Sequence, residues 1–157
     1  MKDFAILEKK LDTVFKDRNL LTQAFIHRSY LNEHPDFHLG HNERLEFLGD
    51  AVLEFVVTEY LYEHYPQSPE GELTNWRASL VNAIILSEIA RGLDFEEYLY
   101  LSRGEAEDRG KARQYILANA IEAFIGALYL DRGIEIVRVF VGTAILARLP
   151  EILEKKL

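Results

Sequence analysis

The spacing of apolar side chains constrains the fold of this chain more than any other feature of its sequence. Apolar residues recur at intervals of three and four positions along nearly the whole chain, as on one face of an α-helix. Alternating runs of β-branched residues are few, and no Asn-Gly pair marks a hairpin turn. The sequence therefore predicts an all-α fold, a bundle of helices.

The bounds of these helices follow from capping residues, prolines and glycines. Asn19 and Asn42 are the expected N-caps of the second and third helices. The expected helices cover residues 3–11, 19–27, 42–65, 68–91, 114–131 and 134–147. The last residues, LPEILEKKL, are either a fraying helix or the start of a linker. We assign residues 1–150 to one domain and 151–157 to the start of a linker.

The composition is that of a soluble globular protein. The chain has 157 residues, of which 48% are hydrophobic and 28% charged, enough for one domain with its own core. The absence of cysteine excludes disulfides, thiolate metal sites and cysteine nucleophiles. The N-terminus lacks the apolar segment of a secretory signal, and the most apolar run, 116–130, is too short to span a membrane. We therefore expect a cytoplasmic protein with no membrane partner.

The net charge of −8 argues against direct binding of nucleic acid, which depends on Lys and Arg. An acidic chain can still bind a polyanion if divalent cations bridge the two, or if a separate basic module supplies the contact. One local basic run, Arg103, Arg109, Lys111 and Arg113, either contacts phosphate or balances the acids beside it.

Two helices each carry polar oxygen ligands in an apolar background. In NERLEFLGD (42–50), Glu43, Glu46 and Asp50 are three or four residues apart and share one helix face. In the later helix, Asn119 and Glu122 are also one turn apart. Carboxylate and amide oxygens suit hard cations such as Mg²⁺ or Mn²⁺. The pattern alone leaves open a metal site and an ordinary solvated face.

NERLEFLGDAVL resembles the signature of the ribonuclease III family almost letter for letter. Three further blocks, FKDRNLLTQAFIHRSY, PEGELTNWRASLVN and ILANAIEAFIGALYLD, resemble other family blocks in the same order. The resemblance covers essentially the whole chain and is to the endonuclease domain of the bacterial-type enzyme. It implies an all-α ribonuclease III endonuclease-type bundle that forms a homodimer, in which the two acidic clusters line a valley for double-stranded RNA.

The resemblance also implies roles for single residues, carried over by position. The implied metal ligands are Glu46, Asp50, Asn119 and Glu122, of which Asp50 and Glu122 are catalytic. Glu43 and Glu70 correspond to acids that line the RNA valley, and Phe47 to an aromatic residue that enters a cavity on the partner subunit. Arg44 is interpreted as a counter-charge for the acids, His27 as a packing residue, and Gly49 as a point of close backbone approach.

The implied activity is Mg²⁺-dependent hydrolysis of double-stranded RNA, with Mn²⁺ as a substitute and no small-molecule cofactor. The implied products carry 5′-phosphate and 3′-hydroxyl ends, and the implied role is RNA processing, in the maturation of rRNA and mRNA.

The sequence departs from the family pattern at Asn119, where the family usually has Asp. An amide oxygen brings no charge to a metal, so the resemblance leaves three interpretations. The chain is an active enzyme that needs more metal, a variant engineered to trap substrate, or a weakened or inactive RNA-binding or assembly module of the same fold. A different functional class, an acid-rich all-α nucleotide pyrophosphohydrolase, would need another acidic pattern and no NERLEFLGD block. The family's double-stranded-RNA-binding domain is not within these 157 residues.

Overall fold

The computed structural model describes residues 2–156, and these fold into helices without any strand. An isolated parallel bridge joins Ile26 to Tyr100. Short 3₁₀ helices cover Phe95–Tyr98 and Leu146–Arg148. The α-helices are α1 (Ala5–Leu11), α2 (Arg18–Gln23), α3 (Arg28–Glu33), α4 (Glu43–His64), α5 (Glu70–Val81), α6 (Ala83–Gly92), α7 (Arg103–Glu107), α8 (Lys111–Arg132), α9 (Ile134–Ala144) and α10 (Leu149–Lys156). The all-α prediction is confirmed.

Helix α8 runs through the centre of the bundle. Its middle residues are almost all buried, because α8 packs against α4 on one side and against α2, α6 and α9 on others. Phe124 of α8 lies 6.4 Å from Phe25 and 5.4 Å from Phe95, measured between ring centroids, in an aromatic cluster at the core. A helix that is apolar on all sides is a buried helix, and α8 follows this rule.

Two glycines bring α4 and α8 into direct backbone contact. A Cβ atom on Gly49 of α4 would lie 1.7 Å from the carbonyl oxygen of Glu122 in α8. A Cβ atom on Gly126 of α8 would lie 2.2 Å from the carbonyl oxygen of Leu45 in α4. Contacts this short exclude any side chain at either position, so the expected close approach at Gly49 is confirmed. The partner glycine at 126 was not anticipated.

The structure corrects both predicted N-caps. Helix α2 begins one residue earlier than expected, and the side chain of Asp17 accepts a hydrogen bond from the backbone N–H of Asn19 at 2.9 Å. Asn42 does precede α4, but its side chain caps nothing. Its Nδ2 instead donates to the carbonyl oxygen of Ala24 at 2.9 Å, which anchors the start of α4 to the end of α2.

The predicted helix at 68–91 is in fact two helices, α5 and α6. The break is at Asn82, whose backbone is extended, with φ −75° and ψ 162°. Its side-chain oxygen accepts from the backbone N–H of Ile85 at 3.0 Å and so begins a new helix. Continuous apolar periodicity concealed this break. The short helices α3 and α7 were also not predicted.

The C-terminal residues are helical as far as they are described. Leu149 and Ile152 of α10 are buried in the main core. The assignment of 151–157 to the start of a linker stays a prediction. Among residues 2–156, no helix combines the length and the hydropathy needed to cross a bilayer.

Candidate active site

An open cavity of about 750 Å³ lies where the first turns of α4 face the middle of α8. We call it the acidic cavity, because carboxylates dominate its lining. It is lined by His27, Arg28, Asn42, Glu43, Glu46, Phe47, Asp50, Ile116, Asn119 and Glu122. The structure therefore brings together all the predicted metal ligands, which come from two helices about 70 positions apart in the sequence.

The backbone contact between α4 and α8 sets this geometry. Gly49 packs on the carbonyl of Glu122, and the next residue in α4 is Asp50. The carboxyl groups of Asp50 and Glu122 consequently lie close enough for Asp50 to raise the pKa of Glu122. Local sequence explains the rest, because the one-turn spacing of Glu46 and Asp50, and of Asn119 and Glu122, turns both pairs toward the cavity.

Burial and neighbouring negative charge raise the pKa values of two carboxyl groups in the acidic cavity, those of Glu122 and Glu46. Burial raises the pKa of Glu122 to about 9, and the hydrogen bond and negative charge of Asp50, with the charge of Glu46, add to the effect. Burial also raises the pKa of Glu46, together with the charges of Glu43 and Asp50. Without a cation, Glu122 therefore holds a proton at neutral pH. Groups with strongly shifted pKa values in a cleft are typical of functional sites.

The chemistry of these donors fits a hard divalent cation. The predicted ligand set, three carboxylates and one amide oxygen, lies together in a cavity that Glu43 also lines. The repulsion among these carboxylates is what a cation would relieve. Within the described part of the chain, no three Asp, Glu, His or Cys side chains already converge as a metal cluster. The backbone thus brings the donors into one cavity, while the side chains must still close around an ion.

Glu70, the remaining acid predicted for the RNA valley, does not join the others. It lies at the start of α5 and lines a second cavity of about 610 Å³. This second cavity also includes Tyr62, Pro66, Leu73 and Arg77. Within one chain, therefore, Glu70 does not line the cavity that holds Glu46, Asp50 and Glu122.

Phe47 lies at the edge of the acidic cavity and points away from the core. Its side chain is 84% exposed, although it follows Glu46 directly in α4. An exposed phenylalanine beside a cluster of acids gives nothing to the core of this chain. Its role at a dimer interface stays a prediction.

Sequence reasoning missed the cation of the acidic cavity. The expected counter-charge, Arg44, is exposed and does not line the cavity, so that interpretation was wrong. Arg28 does line it, and its Nη1 lies 3.5 Å from Oε2 of Glu43. Arg44 was expected to balance the acids because it is next to Glu43 in the sequence. Consecutive residues of a helix point in different directions, however, and Arg44 faces solvent. The HRSY block was the available signal for Arg28.

His27 also lines the cavity, as the N-cap of α3. Its Nδ1 accepts a hydrogen bond from the backbone N–H of Ser29 at 3.2 Å and lies 2.7 Å from the Ser29 hydroxyl. Burial lowers its pKa, which favours the neutral imidazole. The expected packing role is thus replaced by a capping role at the wall of the cavity.

The basic run at 103–113 is not a single phosphate-binding surface. Arg113 is only 2% exposed, and its Nη1 donates to Oε2 of Glu96 at 2.7 Å. Its Nη2 donates to the backbone carbonyls of Glu105 and Ala106, at 3.0 and 3.1 Å. Arg113 therefore fastens α7 to α8, and Arg109 lies 3.6 Å from the same glutamate.

Comparison with known proteins agrees with this architecture. Two solved structures of the nuclease domain of ribonuclease III from Campylobacter jejuni are similar to this chain, each with a TM-score of 0.84, at 38% and 39% identity. The first covers 94% of this chain and 99% of that domain, and its description concerns flexibility in a region involved in dimer formation. Dicer from Pichia stipitis is also similar, with a TM-score of 0.63 at 28% identity over 90% of this chain and 59% of that one.

Curated relatives point the same way. Ribonuclease 3 of Chloroflexus aurantiacus is 48% identical over 151 residues, which is 95% of this chain and 62% of that protein. Ribonuclease 3 of Streptococcus gordonii is 46% identical over 136 residues, 87% of this chain and 59% of that protein. The chain thus spans about three-fifths of the length of these relatives. A sequence model described as Ribonuclease-III-like matches residues 17–149, and the chain belongs to that family.

Proposed function

We propose that this chain is the nuclease part of a Mg²⁺-dependent endoribonuclease that hydrolyses double-stranded RNA. One observation carries the proposal. The glycine-mediated contact of α4 with α8 gathers three carboxylates and an amide oxygen in one solvent-open cavity. Such a donor set costs stability unless it binds a cation, and it has no other evident purpose in the fold.

Glu46, Asp50, Asn119 and Glu122 are the residues that would hold the metal. When bound, Mg²⁺ polarises the scissile phosphate, lowers the pKa of a coordinated water and stabilises the leaving 3′-oxygen. The side chains have supporting roles in this scheme. Glu122, whose pKa is raised to about 9, would have to lose its proton to serve as an anionic ligand. Hydrolysis at the 3′-oxygen leaves 5′-phosphate and 3′-hydroxyl ends.

The proposed active form is a homodimer. Phe47 is exposed on one side of the chain, and the second cavity offers a partly apolar recess elsewhere. An interface that exchanges these two features is self-complementary, as two-fold symmetry requires. Glu70 lines the second cavity, so docking the partner's α4 there brings Glu70 beside the acids that precede Phe47. The dimer in this way explains why Glu70 lies apart within one chain.

Double-stranded RNA suits this site better than single strands. The described surface offers no row of aromatic side chains around the acidic cavity on which bases could stack, and Phe47 is assigned to the interface. A duplex is recognised through its shape, its phosphates and its 2′-hydroxyls. The proposed role is RNA processing, in the maturation of rRNA and mRNA. The relatives' name, ribonuclease 3, supports the ribonuclease part of this proposal. A cytoplasmic location, expected from the sequence, stays a prediction.

The test is cleavage of a long double-stranded RNA during a titration of Mg²⁺ and, separately, Mn²⁺. The parent chain should cut the duplex and leave a single strand of the same sequence intact, and Glu122→Gln should not cut at any metal concentration. Products should accept a 3′ ligation without phosphatase treatment. If the parent and Glu122→Gln release the same products at the same rate, the activity comes from elsewhere and the proposal fails.

Asn119 supports a second candidate, a weakened or inactive module of the same fold that binds or helps to assemble RNA. The uncharged amide stands where the resemblance leads one to expect a carboxylate. The same titration separates the two candidates. A parent that is silent at every metal concentration, while Asn119→Asp cuts, identifies the inactive module.

A further inference from the structure

The acidic cavity contains a single cationic side chain among the described residues that line it. Four carboxylates, those of Glu43, Glu46, Asp50 and Glu122, face a single guanidinium, that of Arg28. A phosphodiester approaching this cavity meets mostly negative charge. Bound metal offsets part of that charge, but the flanking phosphates of a duplex lie beyond the metal ligands and need their own counter-charge.

Arg28 is free to provide it. Its side chain is 69% exposed, and its one ion pair in the described structure is the 3.5 Å contact with Glu43, which is itself 46% exposed. An exposed pair at this distance is weak and exchanges readily for a better partner. A phosphate is a better partner, because the planar guanidinium can donate two parallel hydrogen bonds to it.

The other donors that line the cavity are already engaged or uncharged. Asn42 uses its Nδ2 on the carbonyl oxygen of Ala24. The Nδ1 of His27 accepts from the backbone N–H of Ser29, and burial lowers the pKa of the ring, so His27 contributes no positive charge. Asn119 carries no charge. Only Arg28 combines exposure, permanent charge and a position in the lining.

The backbone beneath Arg28 is held in place by contacts on both sides. The backbone N–H of His27 donates to the carbonyl oxygen of Tyr100 at 3.0 Å. The backbone N–H of Ser102 donates to the Ser29 hydroxyl at 3.0 Å. Arg28 lies between these two contacts, so its backbone is fixed while its exposed side chain can change rotamer.

We propose that Arg28 binds a backbone phosphate of the RNA at the rim of the acidic cavity, and that Glu43 holds its guanidinium there before RNA arrives. This inference rests on the proposed function and adds the contact residue to it. Glu43 then acts through Arg28 as a positioning residue. RNA binding exchanges the carboxylate for a phosphate and leaves the metal ligands untouched.

The experiment measures kcat and KM for a long double-stranded RNA at several salt concentrations, with Arg28→Gln beside the parent. Neutralising one phosphate contact reduces the slope of log(kcat/KM) against log[salt] by about one unit. We expect that reduction, with KM raised about tenfold and kcat little changed. Arg28→Lys should keep the parent's slope, because it keeps the charge.

Lys9→Gln is the matched control, since Lys9 is an exposed cation on α1 that does not line the cavity. It should leave the slope and KM unchanged. Glu43→Gln removes the carboxylate that positions Arg28. It should raise KM by less than Arg28→Gln does and keep the parent's salt slope, which gives a second test even if Arg28→Gln folds poorly. The inference is overturned if Arg28→Gln, folded as judged by thermal unfolding, shows the parent's slope and KM. A parent that cuts no double-stranded RNA overturns the proposed function instead, and the inference with it.

Discussion

Gly49 in α4 lies directly against the backbone of Glu122 in α8, so closely that a Cβ atom would come within 1.7 Å of the Glu122 carbonyl oxygen. The two backbones are in direct contact here, so no side chain lies between them that could move to make room for a larger residue. The residue after Gly49 is a predicted metal ligand, and so is Glu122 itself. The closest packing in the bundle and the candidate site are therefore the same place.

Gly49→Ala should destabilise the chain and separate the acids. The added methyl group meets backbone, which can only move as a whole helix, so we expect a loss of at least about 3 kcal/mol of unfolding free energy. Chemical denaturation measures it. Gly142→Ala in α9 is the control, because its Cβ meets nothing within 4 Å. That change should stabilise by about 0.5–1 kcal/mol, as Ala does in a helix interior. Equal effects of the two would contradict the contact.

Asn119→Asp should lower the metal requirement. It adds a fourth carboxylate to those of Glu46, Asp50 and Glu122. Because hard cations are held chiefly by anionic oxygen, the Mg²⁺ midpoint should fall roughly tenfold. Isothermal calorimetry and cleavage titrations both report this midpoint. Asn75→Asp adds the same charge on the exposed side of α5, outside both cavities, and should leave the midpoint in place. A common shift in both variants would point to net charge alone.

Phe47→Ala should weaken self-association. Phe47 is 84% exposed, and an aromatic anchor that becomes buried in an interface contributes about 2 kcal/mol or more. A two-fold dimer buries two copies, so the substitution should raise the dimer dissociation constant roughly a thousandfold. Sedimentation velocity across a concentration series measures it. Ile6→Ala removes a comparably exposed apolar side chain from α1 and should change nothing. If the parent sediments as a monomer at every concentration, the predicted dimer is wrong.

Glu96 should control the acid stability of the loop that precedes α8. Burial by itself raises the pKa of Glu96, but hydrogen bonds from Arg113 and Arg91 outweigh it and leave the pKa below its usual 4.5. The folded state thus favours the ionised form. The resulting stability is fully present above the unfolded pKa and is lost as the pH falls through the lower folded value.

Glu96→Gln should remove this pH dependence below about pH 4.5 and cost roughly 3 kcal/mol at neutral pH, since Arg113 stays buried without its partner. Thermal unfolding between acid and neutral pH checks both effects. Glu88→Gln breaks the exposed pair with Arg148 and should cost less than about 1 kcal/mol. A parent whose stability does not fall in acid more steeply than that of Glu96→Gln would contradict the network.

The spacing of apolar residues predicted the all-α fold, and the family resemblance predicted which side chains line the acidic cavity. Apolar periodicity reports which residues are buried, and one-turn spacing reports which side chains share a face, so the pairs in α4 and α8 were predictable. Apolar periodicity cannot reveal a break between two helices when the pattern of buried residues continues on both sides of the break. Asn82 is such a break, and it therefore went unseen.

Relations between distant segments were the least predictable part. Nothing local distinguishes Gly126 from a tolerated helix glycine, since its role exists only opposite Leu45 and Gly49. Arg28 likewise meets Glu43 only after α3 folds back beside α4. Sequence proximity favoured Arg44 instead, and that choice was wrong because adjacent residues on a helix diverge.

The crossing of α4 and α8 also acts as a register lock. Sliding α8 by one residue would turn Ile125 or Ala127 toward Gly49, and neither has room there. The alignment of the two pairs of ligands along the helix axes is thus fixed by steric exclusion between main chains, with no hydrogen bond or salt bridge needed to hold it. The side chains around the cavity are consequently free to change without misaligning the helices, as the amide at position 119 illustrates.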